Sequence, residues 1–178
     1  MNRAFGDIKH LSFISRDLDQ SLRYFVDVWN VGPWFVGRHL KYESNYKGTP
    51  GKLDISVALA SSDGLEFELI QQHDNGPSIY QDFLAAVPTG FHVQHMGMWA
   101  KDFAKSRAEA LKRGWIPVQE GNPPAGQFCY LQHPTTPHLY MEISDCSPLK
   151  EHVRKTIRAV AATWDGTDPI REGLPIPT

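Results

Sequence analysis

No run of about 18 uninterrupted apolar residues occurs in the chain, so no membrane-spanning helix is expected. The N-terminal residues lack the basic stretch followed by an apolar one that marks a secretory signal, which leads to the expectation of a cytoplasmic protein. Cysteine is scarce. The two present, Cys129 and Cys146, form no CxxC pair. A single bridge would be unusual scaffolding for 178 residues, so both are read as reduced thiols. A basic stripe is also missing, and the formal net charge is −2. Nucleic acid is therefore not expected as a partner, because a phosphate backbone requires a concentrated positive face. Acidic or neutral small molecules remain open as ligands.

What is present is material for a core: 41% of residues are hydrophobic and 21% charged. That suits one ordinary domain or two half-domains sharing a core. The second arrangement is favoured by an internal repeat. "HLSFISRDLDQS", from His10 to Ser21, is echoed by "HMGMWAKDFAKS", from His95 to Ser106. In the first copy, alternating "IKHLSFIS" reads as a strand, Asp17 as a helix cap with Gln20 three places on, and Leu18, Leu22, Phe25, Val26 and Trp29 as a helical stripe. In the second, "VQHMGMWA" is the strand, Asp102 the cap and "FAKSRAEALKR" the helix, which Gly114 ends.

Three strand-like segments follow each helix: "PWFVGRHLKY", "KLDISVALA" and "LEFELIQ", then "WIPVQE", "QFCYLQH" and "HLYMEIS". The expected fold is therefore α+β, two tandem βαβββ modules forming a curved eight-stranded mixed sheet, followed by a C-terminal helix. The expected boundaries are 1–76 for the first module, 77–90 for a linker with a short helix after Pro77, 91–145 for the second module and 146–178 for the C-terminal helix and an irregular tail. The linker helix could form one wall of a substrate entrance.

Side-chain alternation along a strand assigns faces. Leu65, Phe67 and Leu69, and in the second copy Leu139, Met141 and Ile143, should pack under the helices. The opposite faces then carry Glu66 and Glu68, or Tyr140 and Glu142. By the same parity His10 and His95 turn away from the helices. Two sheets curved toward each other would bring His10, Glu68, His95 and Glu142 together. Two imidazoles and two carboxylates suit one divalent ion such as Zn, Co, Ni, Mn or Fe. Four protein donors leave two octahedral positions free, which suggests Lewis-acid work on a carbonyl. His39, His73, His92, His133 and His138 lack repeat partners and are left out of the set.

"HLSFISRDLDQSLRYF", "LEFELIQ", "QHMGMWAKDF" and "LYMEISD" together resemble the vicinal oxygen chelate superfamily of glyoxalases, methylmalonyl-CoA epimerases and extradiol dioxygenases, over about residues 6–145. The resemblance implies paired βαβββ modules cupping a metal, with ligands on the first and last strand of each: His10, Glu68, His95 and Glu142. It further implies a small-molecule carbonyl substrate and an isomerase or lyase that moves a proton at the adjacent carbon. Glu142 or Glu68, loosened from the metal, is the candidate base. Epimerases of this group carry a further Glu before the third strand. "GTPGKLDIS" has only Asp54 there, which argues against strict methylmalonyl-CoA epimerase activity. Two alternatives stay open, an extradiol-type dioxygenase, for which Glu68 would be surplus, and a ligand-sequestering protein without catalysis.

Glu66, Tyr140, Trp99 and Asp54 are the expected substrate-lining residues, with Phe35 or Trp34 as further candidates. In the C-terminal segment Ser147 should cap a helix starting at Pro148, with Leu149, Val153, Ile157, Val160 and Trp164 as its apolar stripe. The stripe could dock on the chain's own modules or on a second copy, giving a homodimer.

Overall fold

The computed structural model describes residues 4–87 and 89–177. The first repeat comprises β1 (Asp7–Ser15), α1 (Leu18–Asp27), β2 (Trp34–Tyr46), β3 (Thr49–Ser62) and β4 (Leu65–Gln72). A linker helix, α2 (Ile79–Ala86), leads to the second: β5 (Phe91–Ala100), α3 (Phe103–Lys112), β6 (Ile116–Gly121), β7 (Phe128–His133) and β8 (Thr136–Asp145). Helix α4 (Pro148–Ala161) and a short β9 (Ile170–Glu172) follow.

Both repeat helices start where a carboxylate meets an unpaired backbone N–H. Asp17 accepts from the amide of Gln20 and Asp102 from that of Lys105, each at 2.9 Å. Leu18, Leu22 and Phe25 on α1 bury against Trp34, Phe67 and Leu69. Such side chains contribute about 1.5–3 kcal/mol each when fully buried. The second copy departs where Arg107 replaces the Leu22 equivalent. Its guanidinium binds Glu120 at 2.6 Å rather than entering the core.

The strands form one mixed sheet in the order β3-β4-β1-β5-β8-β7-β6-β2-β9, and β2 also pairs with β3, closing the first eight on themselves. Within each repeat the first and last strands are parallel, and β1 meets β5 antiparallel across the junction. Helix α2 drives Ile79, Tyr80, Phe83 and Leu84 into the apolar cluster that also holds Ile14, Ile70 and Tyr130. Its cap is Ser78, whose hydroxyl accepts from the amides of Tyr80 and Gln81.

The expected curved eight-stranded mixed sheet is present with one addition, and the readings of the tail, Trp29 and Trp164 are corrected. The sheet has a ninth strand, because β6 pairs with β2 only at Ser44–Tyr46 and leaves the Trp34–Val36 edge open, which β9 fills in parallel. The tail expected to be irregular is thus partly strand. Trp29 lies beyond the end of α1 and is exposed, and Trp164 lies beyond α4, its ring against Gly32. The rest of the α4 stripe behaves as read: Val153 and Ile157 are buried with Phe35 and Leu59 of the chain's own β2 and β3. Among the described residues no helix is long and apolar enough to cross a membrane.

Candidate metal centre

Strand order explains how four residues distant in sequence converge. β4, β1, β5 and β8 are consecutive in the sheet and carry Glu68, His10, His95 and Glu142 respectively. The register is pseudo-symmetric: on β5 and β8, Gly97 lies opposite Glu142, and on β1 and β4, Ser12 lies opposite Glu68. Across the junction His10 faces Gly97, and Ser12 faces His95. One ligand-type atom from each of the four residues lies within 4.8 Å of all the others. His10 Nε2 is 3.6 Å from Glu68 Oε2 and 3.4 Å from Glu142 Oε2. For His95 Nε2 the same distances are 3.5 Å and 3.2 Å.

The electrostatics of this cluster ask for a cation. Both imidazoles are buried and their Nε2 atoms have no hydrogen-bond partner among the described residues. Such orphaned buried nitrogens are costly unless something binds them. Burial pushes the Glu68 carboxyl up, but His10, His95 and Arg154 outweigh it and hold it down to about 2. Burial likewise pushes Glu142 up, and the two histidines keep it well below the ordinary carboxylate range. His95 is pushed down by burial, yet Glu142 and Glu68 hold it above its usual value. Two anionic carboxylates and two imidazole nitrogens converging in a dry space fit a divalent ion.

Neighbouring residues fix the donors. His95 Nδ1 lies 3.0 Å from Gln94 Oε1, while Gln94 Nε2 donates to the carbonyl of Ile79 on α2. The glutamine oxygen must therefore accept, so His95 Nδ1 carries the proton and Nε2 offers its lone pair to the centre. The linker helix thus sets the tautomer of a candidate ligand. Arg154 of α4 reaches Glu66 Oε2 at 2.9 Å and Glu68 Oε1 at 3.5 Å.

A cavity of about 680 Å³ opens on His10, Glu68 and Glu142. Of the four residues expected to line it, none does. Glu66 has the anticipated parity but is consumed by Arg154. Tyr140 packs into the apolar interior cluster. Trp99 sits under the ammonium groups of Lys9 and Lys150. Asp54 accepts from His39 at 3.1 Å and lies in a separate group with His39 and His73. Phe35 is under α4, and Trp34 is in the α1 core.

The walls come instead from residues the sequence did not single out. Tyr42, Tyr80 and Tyr130 line the cavity, and their hydroxyls form a chain, 3.3 Å from Tyr42 to Tyr80 and 3.1 Å from Tyr80 to Tyr130. Burial raises all three phenols above their ordinary range, so they are neutral donors at physiological pH. Tyr80 lies on the linker helix, and Tyr130, opposite Glu142, is matched by Leu59 opposite Glu68, so repetition, the signal that found the other four, did not mark the tyrosines. Arg154 was equally invisible, since one cation beside an apolar helix stripe looks like the solvent face.

The sequence profile of the Glyoxalase/Bleomycin resistance protein/Dioxygenase superfamily matches residues 9–130. A comparison with curated protein sequences finds no match. Among solved structures, the chain is similar to a hypothetical protein from Bacillus halodurans C-125, with a TM-score of 0.55 at 14% identity over 79% of this chain and 94% of that one. It is similar to methylmalonyl-CoA epimerase from Mycobacterium tuberculosis, with a TM-score of 0.54 at 14% identity over 82% and 91%. A variant of the Streptomyces coelicolor methylmalonyl-CoA epimerase, solved with 2-nitronate-propionyl-CoA, gives 0.52 at 16% identity over 81% and 96%. At such identities these structures speak for the fold, and the profile covering most of the chain speaks for the lineage. The chain belongs to the Glyoxalase/Bleomycin resistance protein/Dioxygenase superfamily.

Proposed function

We propose that this protein is a divalent-metal-dependent isomerase or lyase that moves a proton at the carbon next to a substrate carbonyl. The supporting observation is the buried His10, Glu68, His95 and Glu142 cluster, whose Nε2 atoms have no hydrogen-bond partner among the described residues and of which His10, Glu68 and Glu142 open on a cavity. These four residues would hold the ion, which when bound supplies Lewis-acid polarisation of the carbonyl and so acidifies the neighbouring C–H. The second carboxylate favours this chemistry over the dioxygenase reading, which needs only two histidines and one acid.

The two glutamates are not equivalent. Arg154 holds Glu68 through its second carboxylate oxygen, whereas among the described residues no arginine binds Glu142. Glu142 is therefore the proton acceptor and Glu68 the anchored ligand. The Tyr42–Tyr80–Tyr130 hydroxyl chain presents a neutral donor to oxygen developing negative charge. Helix α4 contributes Leu149 and Val153 to the wall and limits water at the reacting carbon.

Deuterium wash-in at the α-carbon of carbonyl compounds, followed by NMR on metal-loaded protein, tests this. Glu142→Gln should slow exchange 10²–10⁴-fold, the usual range for loss of a general base, when assayed at metal concentrations that keep the site filled. Exchange that persists unchanged in Glu142→Gln, or in metal-free protein, would sink the proposal.

A further inference from the structure

The cavity also carries information about what enters it. Its walls are dominated by hydrocarbon: Leu40, Val57 and Ile70 from the barrel, Val153 from α4, and Leu174 and Ile176 from the tail. The last three come from a segment beyond residue 130, where the superfamily profile match ends. This segment is packed down. α4 seats Val153 and Ile157 on β2 and β3, β9 pairs with β2, and the amide of Gly173 donates to the carbonyl of Val36 at 2.8 Å. The C-terminal extension therefore forms one apolar side of the cavity.

Four cations line the cavity: Lys41 is exposed with no ion-pair partner among the described residues, and the other three are held by neighbours. Arg38 is bound by Glu172 and Asp19, at 3.0 Å and 2.7 Å. Arg154 is bound by Glu66 and Glu68. Lys150 donates to the carbonyl of Asp145 and lies over the Trp99 ring. No arginine fork among the described lining residues is left to receive a phosphate, the group that a CoA thioester would bring several times over. A cavity of about 680 Å³ falls in the range that encloses most of a compact organic ligand.

We infer that the substrate is an uncharged, largely hydrocarbon carbonyl compound, such as an aryl α-hydroxyketone, held whole between the barrel and the C-terminal extension, and not a CoA thioester or a glutathione adduct. The inference rests on the proton-transfer reading above and adds the substrate class. The histidine and glutamate centre, with its ion, and the three tyrosine hydroxyls take the polar end, while the apolar wall takes the body.

The test uses full-length, metal-loaded protein and two readouts, binding by calorimetry and α-deuterium exchange by NMR. The neutral probes are benzoin, 2-hydroxyacetophenone and 2-hydroxy-1-indanone. The charged ones are methylmalonyl-CoA and the hemithioacetal of methylglyoxal with glutathione. At least one neutral probe should bind 100-fold or more tightly than either charged probe. Leu40→Asp and Ile176→Asp, at exposed positions of the wall, should each weaken that binding tenfold or more with metal stoichiometry unchanged. Tighter binding of a charged probe, or no binding of any neutral probe at millimolar concentration, overturns the inference. In either case exchange of a charged probe would leave the proton-transfer reading intact. Tight neutral binding with no exchange of any probe would uphold the apolar site and defeat that reading instead.

Discussion

A β-carbon at Gly97 would lie 1.8 Å from Cε1 of His10, closer than any real contact, so the His10 ring occupies the space a side chain would fill. The first repeat has Ser12 at the matching position, opposite His95. Symmetry is broken here because two imidazoles, 5.5 Å apart between ring centres, cannot both have a side chain beneath them. Gly97→Ala should displace His10 and lower metal affinity 10-fold or more, measured as zinc retained after dialysis, while the circular dichroism stays native. The cysteines give a second check at this scale. Cys129 is fully buried, and burial together with Glu120 pushes its thiol far above its ordinary range, whereas Cys146 is exposed. In native protein one thiol per chain should react promptly with Ellman's reagent, and both after denaturation.

Helix α4 lies outside the repeat yet holds part of the site together through Arg154. The Arg154–Glu66 pair is almost wholly buried, at 8% and 2% exposure. Removing Arg154 alone leaves the Glu66 carboxylate buried and uncompensated, and removing both takes that charge away, with only the longer 3.5 Å contact to Glu68 lost. Arg154→Leu should destabilise by about 3–5 kcal/mol in denaturant unfolding, and the double variant Glu66→Leu/Arg154→Leu should recover most of that loss. A double variant no more stable than the single one would mean that the helix is held by its apolar stripe alone. That stripe was legible in the spacing of Val153 and Ile157, but the salt bridge was not, because its partner lies on β4 and nothing local marks it.

At the scale of the whole molecule, metal binding and stability are linked, because an ion that binds only the folded cluster favours the folded state. Zinc at 100 times its dissociation constant should add about 2.7 kcal/mol, or roughly 5–10 °C in Tm for a chain of this size. His10→Ala should abolish the shift. An equal shift in that variant would place the ion elsewhere, with the exposed His39, Asp54 and His73 group as the next location to examine. The tautomer of His95 has the same whole-molecule character, since it depends on Gln94, on the Ile79 carbonyl of α2 and so on the docking of the linker.

The repeat in the sequence determined the strand and helix plan, the Asp17 and Asp102 caps, and which four side chains, His10, Glu68, His95 and Glu142, converge. It could do so because alternation along a strand and matched position in two copies are local properties of the chain. Only the tertiary structure decided which residues wall the cavity. Glu66, Tyr140, Trp99 and Asp54 had suitable parity or position, but parity assigns a face and not a neighbour. Their places were taken by tyrosines from three separate elements, and Glu66 was claimed by an arginine 88 positions away. A cavity wall is assembled from contacts across the closed sheet, so its composition follows from how the β2–β3 closure, α2 and the C-terminal extension pack together.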